Sequence, residues 1–332
     1  MNEKDSCDIS VIVPCYNYAR FLPEALDSIL TQTRPPSDIL VVDDGSTDDT
    51  AHVCAAYVGR GQIRYLHKAN GGVSSARNLG FRESVTSYLM FLDADDTLLP
   101  NALEHLWGAV EAHGNEPSIV FAASALCHSV GKCNDTRVPS VEDVTPYLGR
   151  RLAADTYELR PRVVERLARS SIMPLCSMVV SRAAHLAVGR WREDYRYNQD
   201  REFCLRLAAS GAVVYVDRTL GCYRKHGSNI TDPANWLRNH EEIARILEDV
   251  SSADWADMNL RRIARAQAGS NAYQIAQRYG DRAEFEQARK WMRVSLARRP
   301  LSLRGWCHLL GYAVRGWIRR GDKRRKADHA SS

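Results

Sequence analysis

The sequence predicts an α/β protein with a mostly parallel central sheet and flanking helices, followed by an all-helical C-terminal extension. Apolar strand-like runs alternate with helical patterns through the first third of the chain, as in a βαβ series. The run YLMFL at 88–92 is continuously apolar, which suits a strand buried on both faces. From Asn235 onward the chain shows helical periodicity and no strand signal.

The individual elements follow from the same patterns. The strand-like runs are DISVIVP, DILVVDD, QIRYLH, SYLMFL, SIVFAASAL and AVVYVD. Helices are predicted at about 19–31, after Ser46, from about Ser74, from about Pro100 and at about 199–210. Residues 128–170 mix polar turns with an Arg-rich helical segment. One interpretation is that they form a loop that covers a functional site. The segment at 280–310 predicts a helical hairpin broken at Pro300.

The composition is that of an ordinary globular protein. The chain has 332 residues, of which 45% are apolar, enough for one large domain or a domain with an appendage. Nine scattered cysteines form no C-x-x-C pair, so neither a zinc site nor a disulfide framework is predicted. The N-terminus is polar and acidic, unlike a secretory signal, and no apolar run approaches the roughly 20 residues that cross a bilayer. A cytoplasmic, reducing location is therefore expected.

The charge is unevenly distributed along the chain. Residues 261–326 contain 18 Lys and Arg against 4 Asp and Glu, a local net charge of +14 within a total of +5, so the remainder carries −9. The two parts are therefore expected to meet different partners.

Carboxylates gather where the strand-like run at 88–92 ends. Asp93, Asp95 and Asp96 follow it directly in FLDADD. Ligands of open α/β sheets bind at the carboxyl ends of the strands. Three carboxylates so close together repel one another unless a cation or hydrogen-bond donors lie among them. The alternative is that they only cap the turn before the next helix.

Three further strand ends carry polar residues. VVDDGSTDDT places Asp43 and Asp44 before a glycine and a candidate N-cap, where a carboxylate either accepts from a base or ribose or simply caps a turn. PCYNY offers the Tyr16 ring for stacking, with turn chemistry as the alternative. KANGGVSSARNLG is a glycine-rich helix entry that could receive phosphate, although it matches neither the P-loop nor G-x-G-x-x-G.

These four signatures in this order, VIVPCYN, VVDDGSTDDT, NGGVSSARNLG and FLDADD, resemble the donor-binding half of the family 2 inverting glycosyltransferases. The resemblance extends over about residues 8–231 and implies a GT-A fold with a Rossmann-like central sheet. It also implies a glycosyltransferase domain at 1–232, with a donor half at about 8–127 and an acceptor and base half at about 128–232. A helical, basic extension at 233–332 would follow.

The resemblance implies roles for residues on the nucleotide side. Asp44 would hold the nucleobase, and Pro14, Tyr16 and Asn17 would form the wall beside it. The remaining nucleotide-side residues would be Asn70, Arg77, Asp93 and Arg224.

The D-x-D motif implies a metal site. Asp93 would approach the ribose and the metal, and Asp95 would ligate Mn²⁺ or Mg²⁺ bridging the diphosphate, whose oxygens and waters complete the coordination. CYRKHGSNIT at 222–231 resembles the closing segment of the family, so His226 could reach the metal or the diphosphate and Arg224 could neutralise phosphate charge. A purely structural role for His226 is the alternative.

The catalytic base is implied by YNQDREFCLRLAASG, which resembles the E-D-x-x-F-x-x-R-L segment of the family. It places the base at Asp200, at the start of a helix, where an acidic residue is also favoured for structural reasons. Gln199 stands where the family usually has Glu. The change removes a neighbouring negative charge, which favours ionised Asp200.

The expected function is metal-dependent, inverting transfer of a sugar from a nucleotide diphosphate, UDP being the expected nucleotide, to a hydroxyl of a glycan or lipid-linked acceptor in cell-surface polysaccharide synthesis. A nucleotidyltransferase is the first alternative, but the N-terminal run lacks a basic glycine-rich phosphate loop. A non-catalytic nucleotide-sugar-binding protein is the second, but Asp95 and Asp200 are both present. A processive synthase would require transmembrane helices and usually a Q-x-x-R-W motif.

The basic C-terminal segment has an amphipathic pattern. Its apolar residues recur at helical spacing: Leu303, Trp306, Leu310, Val314 and Trp317. A Trp-containing helix with a basic face is typical of an interfacial anchor, and the Lys and Arg at 319–326 would add attraction to anionic lipid. This would place the protein peripherally on the inner face of the cell membrane. Packing on the catalytic domain is the alternative, and nucleic acid is not an expected partner because no recognisable nucleic-acid module accompanies the charge.

Overall fold

The computed structural model describes residues 6–59, 63–114, 116–129, 132–227 and 233–330, with side chains described for these residues except 128, 129, 132–135 and 319–330. The chain divides into two compact units, 1–229 and 230–332.

The first unit combines strands and helices in alternation. Its strands are β1 (Cys7–Cys15), β2 (Pro36–Asp43), β3 (Ile63–His67), β4 (Tyr88–Phe91), β5 (Thr97–Leu98), β6 (Ile119–Ser129), β7 (Lys132–Val138), β8 (Leu148–Ala153), β9 (Thr156–Leu159), β10 (Met178–Ser181) and β11 (Val213–Arg224). Its helices are α1 (Leu22–Leu30), α2 (Thr50–Val58), α3 (Val73–Glu83), α4 (Ala102–His113), α5 (Val141–Val144), α6 (Val163–Arg169), α7 (Arg182–Val188) and α8 (Gln199–Ser210).

Within the described residues, eleven strands form one sheet in the order β3-β2-β1-β4-β10-β6-β11-β9-β8, with β5 paired to β11 and β7 to β6. Strands β3, β2, β1 and β4 are parallel to one another. Strand β10 is antiparallel to both β4 and β6, and β6 is parallel to β11. The predicted α/β class with a mostly parallel central sheet is confirmed, and the antiparallel pairs lie from β10 outward.

Packing in the core explains why the sequences of the parallel strands are continuously apolar. The side chains of Val11, Val13, Val41 and Met90 are fully buried in one cluster with the helices that cover the sheet. A strand covered on both faces has no solvent side, so its sequence shows no polar alternation. This packing fixes the level at which each strand ends and hence where the loops begin.

The described part of the segment 128–170 folds into β7, α5, β8, β9 and α6. A loop over the site was one interpretation of this segment from its sequence. Strand β8 has the sequence LGRRLA and is mostly exposed, so it lacks the apolar alternation by which a half-buried strand is recognised. Cys127 on β6 is disulfide-bonded, with Cys133 opposite it in the register of β7. The cysteine spacing gave no indication of this bond.

The second unit is helical throughout its described residues 233–330. A short 3₁₀ turn leads into α9 (Trp236–Ser252), α10 (Met258–Asp281), α11 (Phe285–Arg298) and α12 (Leu303–Ala330). The predicted hairpin broken at Pro300 corresponds to α11 and α12. Buried Met292, Leu296 and Tyr312 join these two helices. None of the helices in the described part combines the length and apolar content needed to cross a bilayer.

Candidate active site

The carboxyl ends of the parallel strands meet at one edge of the sheet. Cys15, the last residue of β1, lies opposite Asp43 at the end of β2, and Asp43 lies opposite His67 at the end of β3. Backbone hydrogen bonds between these segments continue one residue beyond the strand ends. The Asp44 amide donates to the Cys15 carbonyl at 2.9 Å, and the Lys68 amide donates to the Asp43 carbonyl at 3.0 Å. The segments that follow β1, β2 and β3 therefore start side by side.

The FLDADD turn joins the same edge. The Leu92 amide donates to the Ile12 carbonyl at 3.0 Å, which keeps the chain beside β1 as β4 ends. The Asp96 amide then donates to the Asp93 carbonyl at 3.0 Å and closes the turn. Strand β5 follows and pairs with β11 through Leu98 and Gly221, which brings the end of β11 to the turn.

Asp44 organises the glycine-rich entry to α3. Asp44 is 3% exposed, and its carboxylate accepts hydrogen bonds from Lys68 Nζ at 2.5 Å, from the Gly71 amide at 3.0 and 3.2 Å and from the Gly72 amide at 2.7 Å. Gly72 has φ +88°, a conformation that residues with side chains rarely adopt. These contacts fill the roughly four acceptor positions of a carboxylate, so the contact of Asp44 with a nucleobase stays a prediction.

The residues after β1 brace the turn after β2. The Asn17 amide donates to Ser46 Oγ at 2.9 Å, and Asn17 Oδ1 accepts from the Thr47 amide at 2.7 Å. Asn17 has φ +57°, which the two bonds hold in place. Pro14 is buried, whereas the Tyr16 side chain is 47% exposed and its ring is available for stacking.

Asn70 lies against the same turn. It is exposed, and its backbone nitrogen would be 2.9 Å from a Cβ built on Gly45. Gly45 also has φ +79°, so both the conformation and the close approach require glycine there.

Arg77 is a buried cation beside the D-x-D turn. Its guanidinium is 1% exposed, donates from Nη2 to Asp93 Oδ1 at 2.7 Å and lies 4.6 Å from the centroid of the Trp191 ring. Its Nε and Nη1 are buried and have no hydrogen-bond partner among the described residues. Buried unsatisfied donors are costly, so these two nitrogens mark a place for an acceptor from a ligand.

Asp95 pairs with His226. Asp95 is 8% exposed, and its Oδ2 is 2.8 Å from Nε2 of His226. The imidazole is stacked on the Phe21 ring with centroids 4.7 Å apart. Burial, with the neighbouring charge of Asp93, raises the pKa of Asp95 against the opposing hydrogen bond from His226.

Asp96 and Arg224 tie β11 to the turn. The Arg224 amide donates to Asp96 Oδ1 at 3.0 Å, Arg224 Nε donates to the Asp95 carbonyl at 2.9 Å, and its guanidinium pairs with Glu24. Burial, with the charge of Asp95 added, raises the pKa of Asp96 well above its ordinary value. These three contacts of Arg224 all go to protein groups, so its contact with phosphate stays a prediction.

The residues at this turn are of the types that bind a hard divalent cation. Among the described residues no group of three or more His, Cys, Asp and Glu side chains is arranged to hold a metal ion by itself. Asp93 and Asp95 offer carboxylate oxygens and His226 an imidazole nitrogen, a donor set that Mn²⁺ or Mg²⁺ can share with phosphate and water. A cation there would offset the carboxylate repulsion that contributes to the raised pKa of Asp95.

Asp200 lies in the first turn of α8, which begins at Gln199. The side chain is partly exposed. Burial of the group raises the pKa of Asp200, Arg77 lowers it and Asp93 raises it further. Asp200 thus lies within the electrostatic reach of Arg77 and Asp93. That the predicted base and the predicted donor-side carboxylate belong to one active site stays a prediction.

Three contributors to the site were missed in the sequence. Lys68 follows β3 directly and pairs with Asp44, so its position at a strand end was a usable signal. Phe21 supports the His226 ring, and Trp191 supports the Arg77 guanidinium. Neither aromatic residue lies in a motif, because each reaches the site only through tertiary packing.

Comparison with solved structures defines the fold class. The S. aureus TarS fragment 1–349 in complex with UDP-GlcNAc has a TM-score of 0.64 at 17% identity, covering 94% of this chain and 92% of that one. The mannosyltransferase PcManGT from Pyrobaculum calidifontis, in complex with GDP-Man and Mn²⁺, has a TM-score of 0.58 at 16% identity, covering 94% and 86%. These likenesses confirm the predicted GT-A fold.

Sequence comparison defines the family. Residues 10–127 match the profile of Glycosyl transferase family 2, which confirms the predicted resemblance to this family. An uncharacterized glycosyltransferase of Rickettsia prowazekii is 28% identical over 239 residues, covering 71% of this chain and 70% of the relative. The minor teichoic acid biosynthesis protein GgaB of Bacillus subtilis is 40% identical over 125 residues, covering 36% of this chain and 14% of the relative.

Proposed function

We propose that the protein is a divalent-cation-dependent inverting glycosyltransferase. It moves one sugar from a nucleotide diphosphate donor, UDP being the expected nucleotide, to a hydroxyl of a glycan or lipid-linked acceptor in cell-surface glycan synthesis. The proposal is supported by the family 2 domain and by relatives and structural neighbours whose names include teichoic acid biosynthesis, UDP-GlcNAc and GDP-Man. Residues 8–127 would bind the donor, and residues 128–232 would supply the base and meet the acceptor.

One observation carries the proposal. Arg77 is buried between the D-x-D turn and α8. It holds Asp93 at 2.7 Å, acts electrostatically on Asp200 and keeps two buried donors unsatisfied. A donor diphosphate and sugar would supply acceptors for those nitrogens. The arrangement would then place the transferred sugar between the leaving group on the Asp93 side and the base on the Asp200 side.

The residues at the strand ends would divide the donor between them. Tyr16 would stack on the nucleobase, because its ring is exposed. Asp44 would hold the nucleobase, as the family resemblance implies. Asp93, Asp95 and His226 would hold the cation, which as a Lewis acid stabilises charge on the departing diphosphate. Burial at the turn excludes water and strengthens these interactions.

Asp200 would act as the base. In an inverting transfer a carboxylate takes the proton from the acceptor hydroxyl as it attacks the face opposite the leaving group. The position in the first turn of α8 suits an anion because the helix N-terminus carries partial positive charge.

The test is product analysis with a panel of nucleotide sugars. The protein is incubated with each donor, an acceptor panel and Mn²⁺ or Mg²⁺, and the anomeric configuration of the product is read by NMR. The proposal predicts turnover with one nucleotide class, dependence on the cation and inversion at the anomeric carbon. Retention of configuration would contradict the inverting mechanism. In a parallel incubation with nucleoside triphosphates and sugar 1-phosphates, release of pyrophosphate with formation of a sugar nucleotide would identify a nucleotidyltransferase instead. Binding of a nucleotide sugar without turnover would identify a non-catalytic protein.

A further inference from the structure

Helix α12 presents an exposed apolar face. Its members are Leu303, Trp306, Leu310, Val314 and Trp317, which are between 47% and 81% exposed. At about 3.6 residues per turn these positions lie along one side of the helix. Tyr312 lies on another side of the helix and is buried against α11. Helix α12 is therefore anchored in its unit by one face and leaves a second apolar face, here called the α12 stripe, to solvent.

A basic groove lies on a different side of α12 from the stripe. It lies between α10 and α12, has a volume of about 460 Å³, and its lining includes Arg304, His308 and Arg315. Asp281 is an acidic side chain in this lining. Tyr312, which is buried against α11, lines the groove too, so at about 3.6 residues per turn these positions face away from the α12 stripe. The groove therefore adds positive charge to this unit without sharing the direction of the stripe.

The charge of the surrounding sequence has the same sign. Residues 261–326 carry 18 Lys and Arg against 4 Asp and Glu, and six of the Lys and Arg fall at 319–326. A surface with this excess is attracted to a negatively charged partner at a range set by ionic strength. The same segment of a second copy would bring the same positive charge and be repelled.

We infer that α12 docks the protein on the surface of an anionic phospholipid bilayer. The α12 stripe enters the boundary between head groups and acyl chains, where tryptophan is favoured, and the excess of Lys and Arg in the surrounding sequence attracts the unit to anionic lipid. The helix lies in the plane of the interface. Its polar and charged faces are incompatible with a spanning orientation, in agreement with the absence of a spanning helix from the described residues.

The experiment is vesicle flotation of the full-length chain. Vesicles of phosphatidylcholine alone are compared with vesicles that also contain phosphatidylglycerol, at low and at high salt. The protein is expected to float with the anionic vesicles and to be released by salt, and L310E/W317E is expected to weaken binding by about tenfold or more. The matched control is V85E/L186E, which adds the same two charges at residues that are 88% and 64% exposed in the first unit. Its binding should remain within about twofold of the unchanged chain.

A second measurement separates docking from loss of folding. Tryptophan fluorescence of the full-length chain should be quenched by brominated lipid, and W306F/W317F should bind vesicles while losing most of this quenching. Equal binding to neutral and anionic vesicles, no binding to either, or unchanged binding of L310E/W317E would overturn the inference. So would a sedimentation result in which the chain is dimeric without lipid and L310E/W317E makes it monomeric, because the occupant of the stripe would then be a second copy.

Discussion

Burial affects the pKa of Asp200 and the hydrogen bonding of its neighbour Gln199. Burial raises the pKa of Asp200, while Arg77 opposes the shift. Gln199 is 7% exposed, and its Oε1 is buried without a hydrogen-bond partner among the described residues. A Glu at this position would add a negative charge next to a carboxylate whose ionised form is already disfavoured. The neutral amide of Gln199 therefore favours the ionised form of Asp200, the proposed base, over a wider pH range.

The substitution Asp200→Asn tests the role of the base. Because the amide cannot accept the proton from the attacking hydroxyl, kcat is expected to fall by about 10²- to 10⁴-fold. The KM for the donor should change little, since Asp200 makes no contribution to nucleotide binding in this account. Steady-state kinetics with varied donor measure both parameters. A fall in kcat of less than about threefold would remove Asp200 from the mechanism.

The pH profile tests the electrostatic argument. A general base must be ionised, so activity is lost as pH falls through its folded-state pKa. Because that pKa is raised, the acid limb of kcat should lie above the usual range of an aspartate. The substitution Gln199→Glu should move the limb to still higher pH, whereas Leu186→Glu, 64% exposed on α7, should leave it in place. A limb that does not move in Gln199→Glu would show that another group titrates.

At the level of elements, α3 is linked to the segment before α8 by one amide. Asn78 Nδ2 donates to the Trp191 carbonyl at 3.0 Å and to Glu193 Oε1 at 2.9 Å, and Asn78 Oδ1 accepts from the Trp191 amide at 2.9 Å. Trp191 is fully buried and lies against the Arg77 guanidinium. The amide thus helps to hold the aromatic ring on which Arg77 rests.

The substitution Asn78→Ala should lower the free energy of unfolding by about 2 to 3 kcal/mol, because it leaves buried polar groups of Trp191 without partners. Urea denaturation measures the change. The control is Arg82→Ala on the exposed side of α3, which should stay within about 0.5 kcal/mol of the unchanged chain. Equal stability of the two variants would show that the amide link contributes nothing.

The elements most accessible to sequence reasoning are those whose pattern is local. The run at 88–92 and the helix that begins at Gln199 were predicted at or near their observed bounds, because burial on both faces or a regular helical period determines their residues. Strand β8 was not, because its pairing with β9 is satisfied by backbone groups and leaves its side chains exposed. The residues of the candidate site differ in the same way, since some have a local sequence signal and others have none. Asp44 and Asp93 follow strands, whereas Trp191 and Phe21 arrive from distant segments.

At the scale of the whole molecule, the two units contain different candidate functions. The candidate catalytic residues lie in the first unit, and the α12 stripe lies in the second. Docking on a membrane would raise the local concentration of enzyme around a lipid-linked acceptor without changing the chemistry.

This separation yields a prediction. The L310E/W317E variant should lose about tenfold in transfer to a lipid-linked acceptor in anionic vesicles but keep its rate with a soluble acceptor analogue. Transfer assays with the two acceptors in parallel measure the difference. A fall of equal size with both acceptors would mean that the substitutions disturb the catalytic unit, and the V85E/L186E control should show no fall with either.

The central claim is a donor site completed by a cation at Asp95. The most direct measurement is calorimetric titration of UDP into the full-length chain with and without Mn²⁺, repeated with Asp95→Asn and Asp200→Asn. Binding should require the cation, be lost or weakened by at least about tenfold in Asp95→Asn, and persist in Asp200→Asn. UDP binding that is equally tight without metal and unaffected by Asp95→Asn would contradict the account, as would the failure of every nucleotide tested to bind.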